Sequence, residues 1–225
     1  LKSETTFSEL VTELTQATNS VPKLSEELQR LRSRGYAFRG DLEEMLEKAR
    51  TESEPAQQTL RDEIDRVDDR LRKDVRRLSS SASRITGNPL RNRGRIESLE
   101  SEVRGVKSEV SATHDRLRAS IEPLLQTVSE LTGKLTDLHW TLDQFDSATF
   151  KMAPEERPIA AASCTWENAP GGDKPVGMLM FTDHRVRFEQ NEERVTRRKF
   201  FVFTAESETL HELLIDEPIG HLLDS

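Results

Sequence analysis

The chain is 225 residues long, 33% of it charged and only 5% aromatic, with a net charge of -8. That composition suits extended helices with one wet side better than a thick globular core. The acidic balance holds throughout, with 24 basic and 27 acidic residues in 1–150 and 9 and 14 in 151–225, a poor start for general binding to nucleic acid or anionic membrane.

Cys164 is the single cysteine, so no disulfide framework exists within the chain, and a reducing, cytoplasmic setting is the expectation. No run of 18 apolar residues is present, and no signal peptide is visible. The chain starts at Leu1 and stops at Ser225 just after an apolar stretch, so a fragment or processed piece is expected.

Residues 3–19 place Phe7, Leu10, Val11 and Leu14 at helical spacing. Asn19-Ser20-Val21-Pro22 reads as a turn, with Pro22 opening a second helix over 22–52 marked by Leu24, Leu28 and Leu31. Gly35 and Gly40 bracket Tyr36 and Phe38, which are expected to pack across a helix corner, the commoner fate, or to form a hydrophobic contact for a partner. Pro55 is expected to begin the next helix, whose face is Leu60, Ile64, Val67, Leu71, Val75 and Leu78. Gly87-Asn88-Pro89 is the strongest turn signal of the first 150 residues. Residues 55–85 and 95–147 thus read as the arms of an antiparallel hairpin with its tip near 86–94.

The second arm carries the longest pattern. Ile96, Leu99, Val103, Val106, Val110, Leu117, Ile121, Leu124, Val128, Leu131, Leu135, Leu138, Leu142 and Phe145 alternate in steps of three and four, the seam of a coiled coil. Residues 96–145 would make a rod of about 75 Å. The seam residues Leu99, Val103, Val106, Val110, Leu124, Val128, Leu131, Leu135, Leu138 and Leu142 are the candidate partner contacts, within a chain or between chains. A four-residue stutter after Leu117 coincides with Pro123, which predicts a kink or short break at 120–123.

Between Asp74 and Glu97 stand Arg76, Arg77, Arg84, Arg91, Arg93 and Arg95, and no acid. Six arginines at a hairpin tip suit phosphates or an acidic partner. They equally suit a solvated loop that neutralises nearby helix ends, and the segment has no aromatic residue for base stacking.

Residues 151–158 change composition, with Pro154 and Pro158, and read as a linker between a helical domain (1–150) and a β-rich module (159–225). The module shows strands at 159–166, 177–182, 185–190 and 195–204, the last containing Phe200-Phe201-Val202-Phe203. A helix follows at 207–214, where Leu210, Leu213 and Leu214 have helical spacing. Ile219, Leu222 and Leu223 suggest a further strand.

The run Gly177-Met178-Leu179-Met180-Phe181-Thr182-Asp183-His184-Arg185-Val186-Arg187-Phe188 resembles the pattern G-x-L-x-x-T-x-x-R-x-x-F of GRAM and bacterial pleckstrin-homology-like domains. The resemblance implies a bent antiparallel sheet closed by a C-terminal helix, used to dock lipid or protein. Here the module is expected to be incomplete, and its acidic balance argues against phosphoinositide binding. The layout of coiled coil plus module is also similar to that of bacterial proteins.

Chemistry is sparse. Cys164 lies in an apolar strand, the five histidines have no metal-ligand spacing, and no phosphate-cradling glycine loop occurs. Glu43-Glu44 and Asp68-Asp69 are adjacent and point to different sides of a helix. No catalytic residue, cofactor, metal or small-molecule substrate is expected. The fold class expected is mainly α, an elongated antiparallel helical hairpin or coiled coil followed by a small antiparallel β-rich module. The function expected is a non-enzymatic scaffold or adaptor with protein partners or a second copy of itself. Weaker alternatives are a peripheral protein on anionic lipid, a nucleic-acid-associated rod using the arginine tip, and a regulatory substrate of a protease cut in the linker.

Overall fold

The computed structural model describes residues 2–86, 89–170, 172, 174–197 and 206–220. The fold is mainly α. Helix α1 spans Lys2–Ser33, α2 Asp41–Ser83 and α3 Arg93–Ser147, with a 3-10 turn at Pro89–Asn92 leading into α3. Four strands follow, β1 Pro158–Thr165, β2 Val176–Thr182, β3 Arg185–Arg197 and β4 Glu206–Pro218, in an antiparallel sheet of order β1-β2-β3-β4. No described helix is long and apolar enough to cross a membrane.

Three expectations about proline are corrected. Pro22 lies inside α1, Pro55 inside α2 and Pro123 inside α3, so there is no turn at 19–22, no helix start at 55 and, of the kink or break expected at 120–123, no break. The apolar face explains this. Leu10, Leu14, Val21, Leu24, Leu28 and Leu31 keep one heptad register through Pro22, and all are buried. Leu117, Ile121 and Leu124 are likewise buried on both sides of the stutter. An interior proline costs about 3 kcal/mol, while each fully buried leucine contributes roughly 1.5–3 kcal/mol. A continuous seam therefore outweighs the lost bond. A serine also precedes each proline and bonds a carbonyl of the turn below: Ser20 to Ala17 at 2.6 Å, Ser53 to Ala49 at 2.6 Å, Ser120 to Leu117 at 2.7 Å.

The chain divides into two compact units, Leu1–Leu24 with Asp41–Leu131, and Ser25–Gly40 with Thr132–Ser225. In the first unit α2 and α3 are antiparallel. Glu63 faces Arg116, Arg70 faces Glu109 and Arg77 faces Glu102, so seven residues along α2 match seven back along α3. Helix α1 runs parallel to α3: Phe7 meets His114 at 6.3 Å between ring centres, and Glu13 meets Arg118 at 3.4 Å. Gln57 of α2 donates to Thr18 of α1. Three helices thus surround Leu60, Thr113 and Leu117.

In the second unit α1 ends in a Schellman cap. Gly35 takes φ +94°, Tyr36 N–H bonds Leu31 C=O and Gly35 N–H bonds Arg32 C=O. Tyr36 is buried, as its aromatic character led one to expect. The Arg32 guanidinium donates to the carbonyls of Tyr36 and Phe38, which holds the corner shut. Arg34 then reaches both Asp143 and Asp146 of α3 at 2.7 Å.

The sheet register corrects two further expectations. Residue 195 belongs to β3 rather than to a fourth strand, and residues 198–205, with the Phe200–Phe203 cluster, lie outside the described residues, as do Leu222 and Leu223. Residues 207–214 are strand β4, not helix. Ile215 pairs with Phe188 and Leu213 with Glu189, so Leu214 is an extra residue at a bulge.

Candidate interaction surfaces

Two places concentrate the chemistry of the described residues. One is the outer part of the α2–α3 hairpin. The other is the charged face of β3.

Within α2 the last buried apolar residue is Leu60, at 2% exposure. Beyond it Ile64, Val67, Leu71 and Leu78 are half-buried, and Val75 is 59% exposed. The facing residues of α3, Ile96, Leu99, Val103, Val106 and Val110, are half-buried too. Here two helices meet without a third, so the seam keeps a wet edge. Val67, Leu71, Val106 and Val110 line a shallow groove, with Arg70, Asp74 and Glu109 on its rim. The candidate seam thus splits. Leu99, Val103, Val106 and Val110 sit in this two-helix stretch. Leu124, Val128, Leu131, Leu135, Leu138 and Leu142 are buried by the chain itself.

The arginines also divide. Arg77 is held by Asp74 at 3.3 Å and Glu102 at 3.8 Å, and Arg93 by Glu97 at 2.8 Å. Arg76, Arg84, Arg91 and Arg95 are exposed and meet no carboxylate among the described residues. Counted on by one further seven-residue step, the register of these pairs would set Arg84, the first residue past α2, opposite Arg95, a rung of like charge.

The charged face of β3 is covered by residues 148–157. Arg187 and Glu156 form a buried pair, their side chains 5% and 2% exposed, with contacts of 2.6 and 3.1 Å. Glu156 also accepts from Thr182 Oγ1 at 2.6 Å and from the Ala153 amide at 3.0 Å. Burial alone would raise its pKa. The hydrogen bonds from Arg187, Thr182 and Ala153 outweigh burial and hold the carboxyl below its ordinary value. The Phe150 ring lies 4.5 Å from the Arg187 guanidinium, and Asp216 stands 2.9 Å from Arg187 Nε without hydrogen-bond alignment. Glu189, also buried, accepts from the Thr149 amide at 3.1 Å. Asp183 is held below its usual range by the Arg157 amide at 2.8 Å.

Sequence reasoning did not single out Glu156, Arg187 or Glu189. The alternation Arg185-Val186-Arg187-Phe188-Glu189 reads as a strand with one wet face, and only the covering segment makes that face an interior. Thr182 was visible as the threonine of the resembling pattern, and here it is the hub of the clamp. Cys164 is free and half-buried. The described residues contain no group of three His, Cys, Asp or Glu placed to hold a metal ion.

Comparison with family models, with curated proteins and with solved structures found no match in any of the three.

Proposed function

We propose that this chain is a non-enzymatic, cytoplasmic scaffold or adaptor. The outer part of its α2–α3 hairpin grips partner proteins, and its β-rich unit is a docking module of the GRAM or pleckstrin-homology kind. The observation that carries the reading is the contrast along one seam. From Leu117 to Phe145 the apolar edge is sealed, while from Ile64 to Leu78 and from Ile96 to Val110 it stays half-open. An apolar stripe kept half-wet beside a sealed one is a surface for a further helix.

A second reading has one observation in its favour. Arg76, Arg84, Arg91 and Arg95 are exposed arginines without carboxylate partners among the described residues, which suits a phosphate-bearing surface. The net charge of -8 weighs against it.

A photoreactive residue placed at position 75 of the full chain, in the cells the protein comes from, tests the first reading. Defined protein adducts are expected at 75, absent at the exposed control position 54 and lost with Leu71→Glu. No position-dependent adduct would overturn it. Salt-sensitive retention on DNA or anionic vesicles that collapses on neutralising Arg91, Arg93 and Arg95 would put the second reading in its place.

A further inference from the structure

The apolar residues of α2 beyond Leu60 are Ile64, Val67, Leu71, Val75 and Leu78. Their steps are three, four, four and three, the same read from either end. Such a spacing presents the same pattern from both directions, which suits an antiparallel contact between two identical helices. A two-fold axis at the level of Leu71 sets Val67 against Val75 of the second copy and Ile64 against Leu78.

Charge gives the same axis independently. Residues 61–69 hold five acids and two bases, while 70–84 hold six bases and one acid. The sign reverses between Asp69 and Arg70, one residue from the centre of the apolar pattern. Glu63, Arg70 and Arg77 are engaged with α3. Without those three, the remaining four acids and two bases still face four bases and one acid. An antiparallel pair lays each acidic half on a basic half, whereas a parallel pair stacks like on like.

We infer that the partner of the α2–α3 hairpin is a second copy of this chain, docked antiparallel through α2 about Leu71. Two hairpins side by side then make a four-helix bundle that covers Val75 and the half-buried seam. The inference rests on the reading of the hairpin as a docking surface and names its occupant.

The test uses the full chain carrying Cys164→Ser, with a single spin label introduced by Arg61→Cys, Asp65→Cys, Asp68→Cys, Arg72→Cys or Ser79→Cys, all at exposed positions. Sedimentation should show a dimer. The same-residue distance between copies should be shortest for 72 and grow on both sides by about 3 Å per residue, twice the helical rise. Val75→Glu should weaken the dimer at least tenfold with unchanged helical circular dichroism. A monomer throughout, a flat distance profile, or a dimer indifferent to Val75→Glu would overturn the inference. A monomer whose position 75 still cross-links another protein would overturn self-pairing and leave the adaptor reading standing. A dimer that cross-links nothing but itself would support self-pairing and remove the adaptor reading.

Discussion

Glu156 and Arg187 are a buried ion pair with all of the carboxylate's bonds made inside the protein. Breaking such a pair from one side strands a charge, which costs about 3–5 kcal/mol. Glu156→Gln should lower the stability of the second unit by that order in urea unfolding. The double replacement Glu156→Leu with Arg187→Met should recover most of the loss. Acid should do what the glutamine does. The Glu156 and Asp183 carboxyls are both held below their ordinary values, so their contribution is complete above the unfolded pKa of about 4 and fades as pH falls through the lower folded values. Unfolding midpoints should therefore drop below about pH 4, and Glu156→Gln should flatten that limb. Gly177 is a third sensitive position. A Cβ there would stand 2.1 Å from the Glu189 carbonyl oxygen. Gly177→Ala should force β2 from β3 and cost about 1–3 kcal/mol in the same measurement.

At the scale of elements, the heptad seam was legible because burial and periodicity are one signal. The misreadings came from treating each proline as punctuation. Pro22 interrupts nothing, since Leu10 to Leu31 need one unbroken face, and that face was already present in the leucine spacing. β4 was misread because Leu210, Leu213 and Leu214 stand at helical spacing in the sequence, although pairing with β3 runs unbroken from Leu210 to Leu213 and the bulge follows only at Leu214. The clamp on β3 was illegible because nothing local says that residues 148–157 return to cover Arg187. The hairpin tip allows a direct test of the rung argument. Arg95→Glu would turn the like-charged level of Arg84 and Arg95 into an opposite one and place an acid in the first turn of α3. It should stabilise that turn by about 0.5–1 kcal/mol, read as slower amide exchange over residues 95–99.

At the scale of the whole molecule, the net charge of -8 hides a strong local imbalance. Residues 70–84 hold six bases and one acid in an acidic chain, and under the proposed pairing a second copy offers its acidic residues 61–69 to meet them. Association driven partly by that match should weaken several-fold between low salt and 0.5 M salt, where the Debye length shrinks to about 4 Å. The apolar contact should leave a measurable remainder in sedimentation. Fold class was readable from composition and period alone. The case for a second copy as occupant rests on the exposure of Val75 and the engagement of Arg70 and Arg77 with α3.

The covering of β3 by residues 148–157 has a mechanical consequence. Two residues past the end of α3 the backbone is already fastened to Glu189, and Glu156 is fastened to Arg187 before β1 begins. A tug on that end of the helix meets no slack tether. It runs through an aromatic lid and a carboxylate–guanidinium latch straight into a middle strand, so tension at the helix end becomes shear across the sheet.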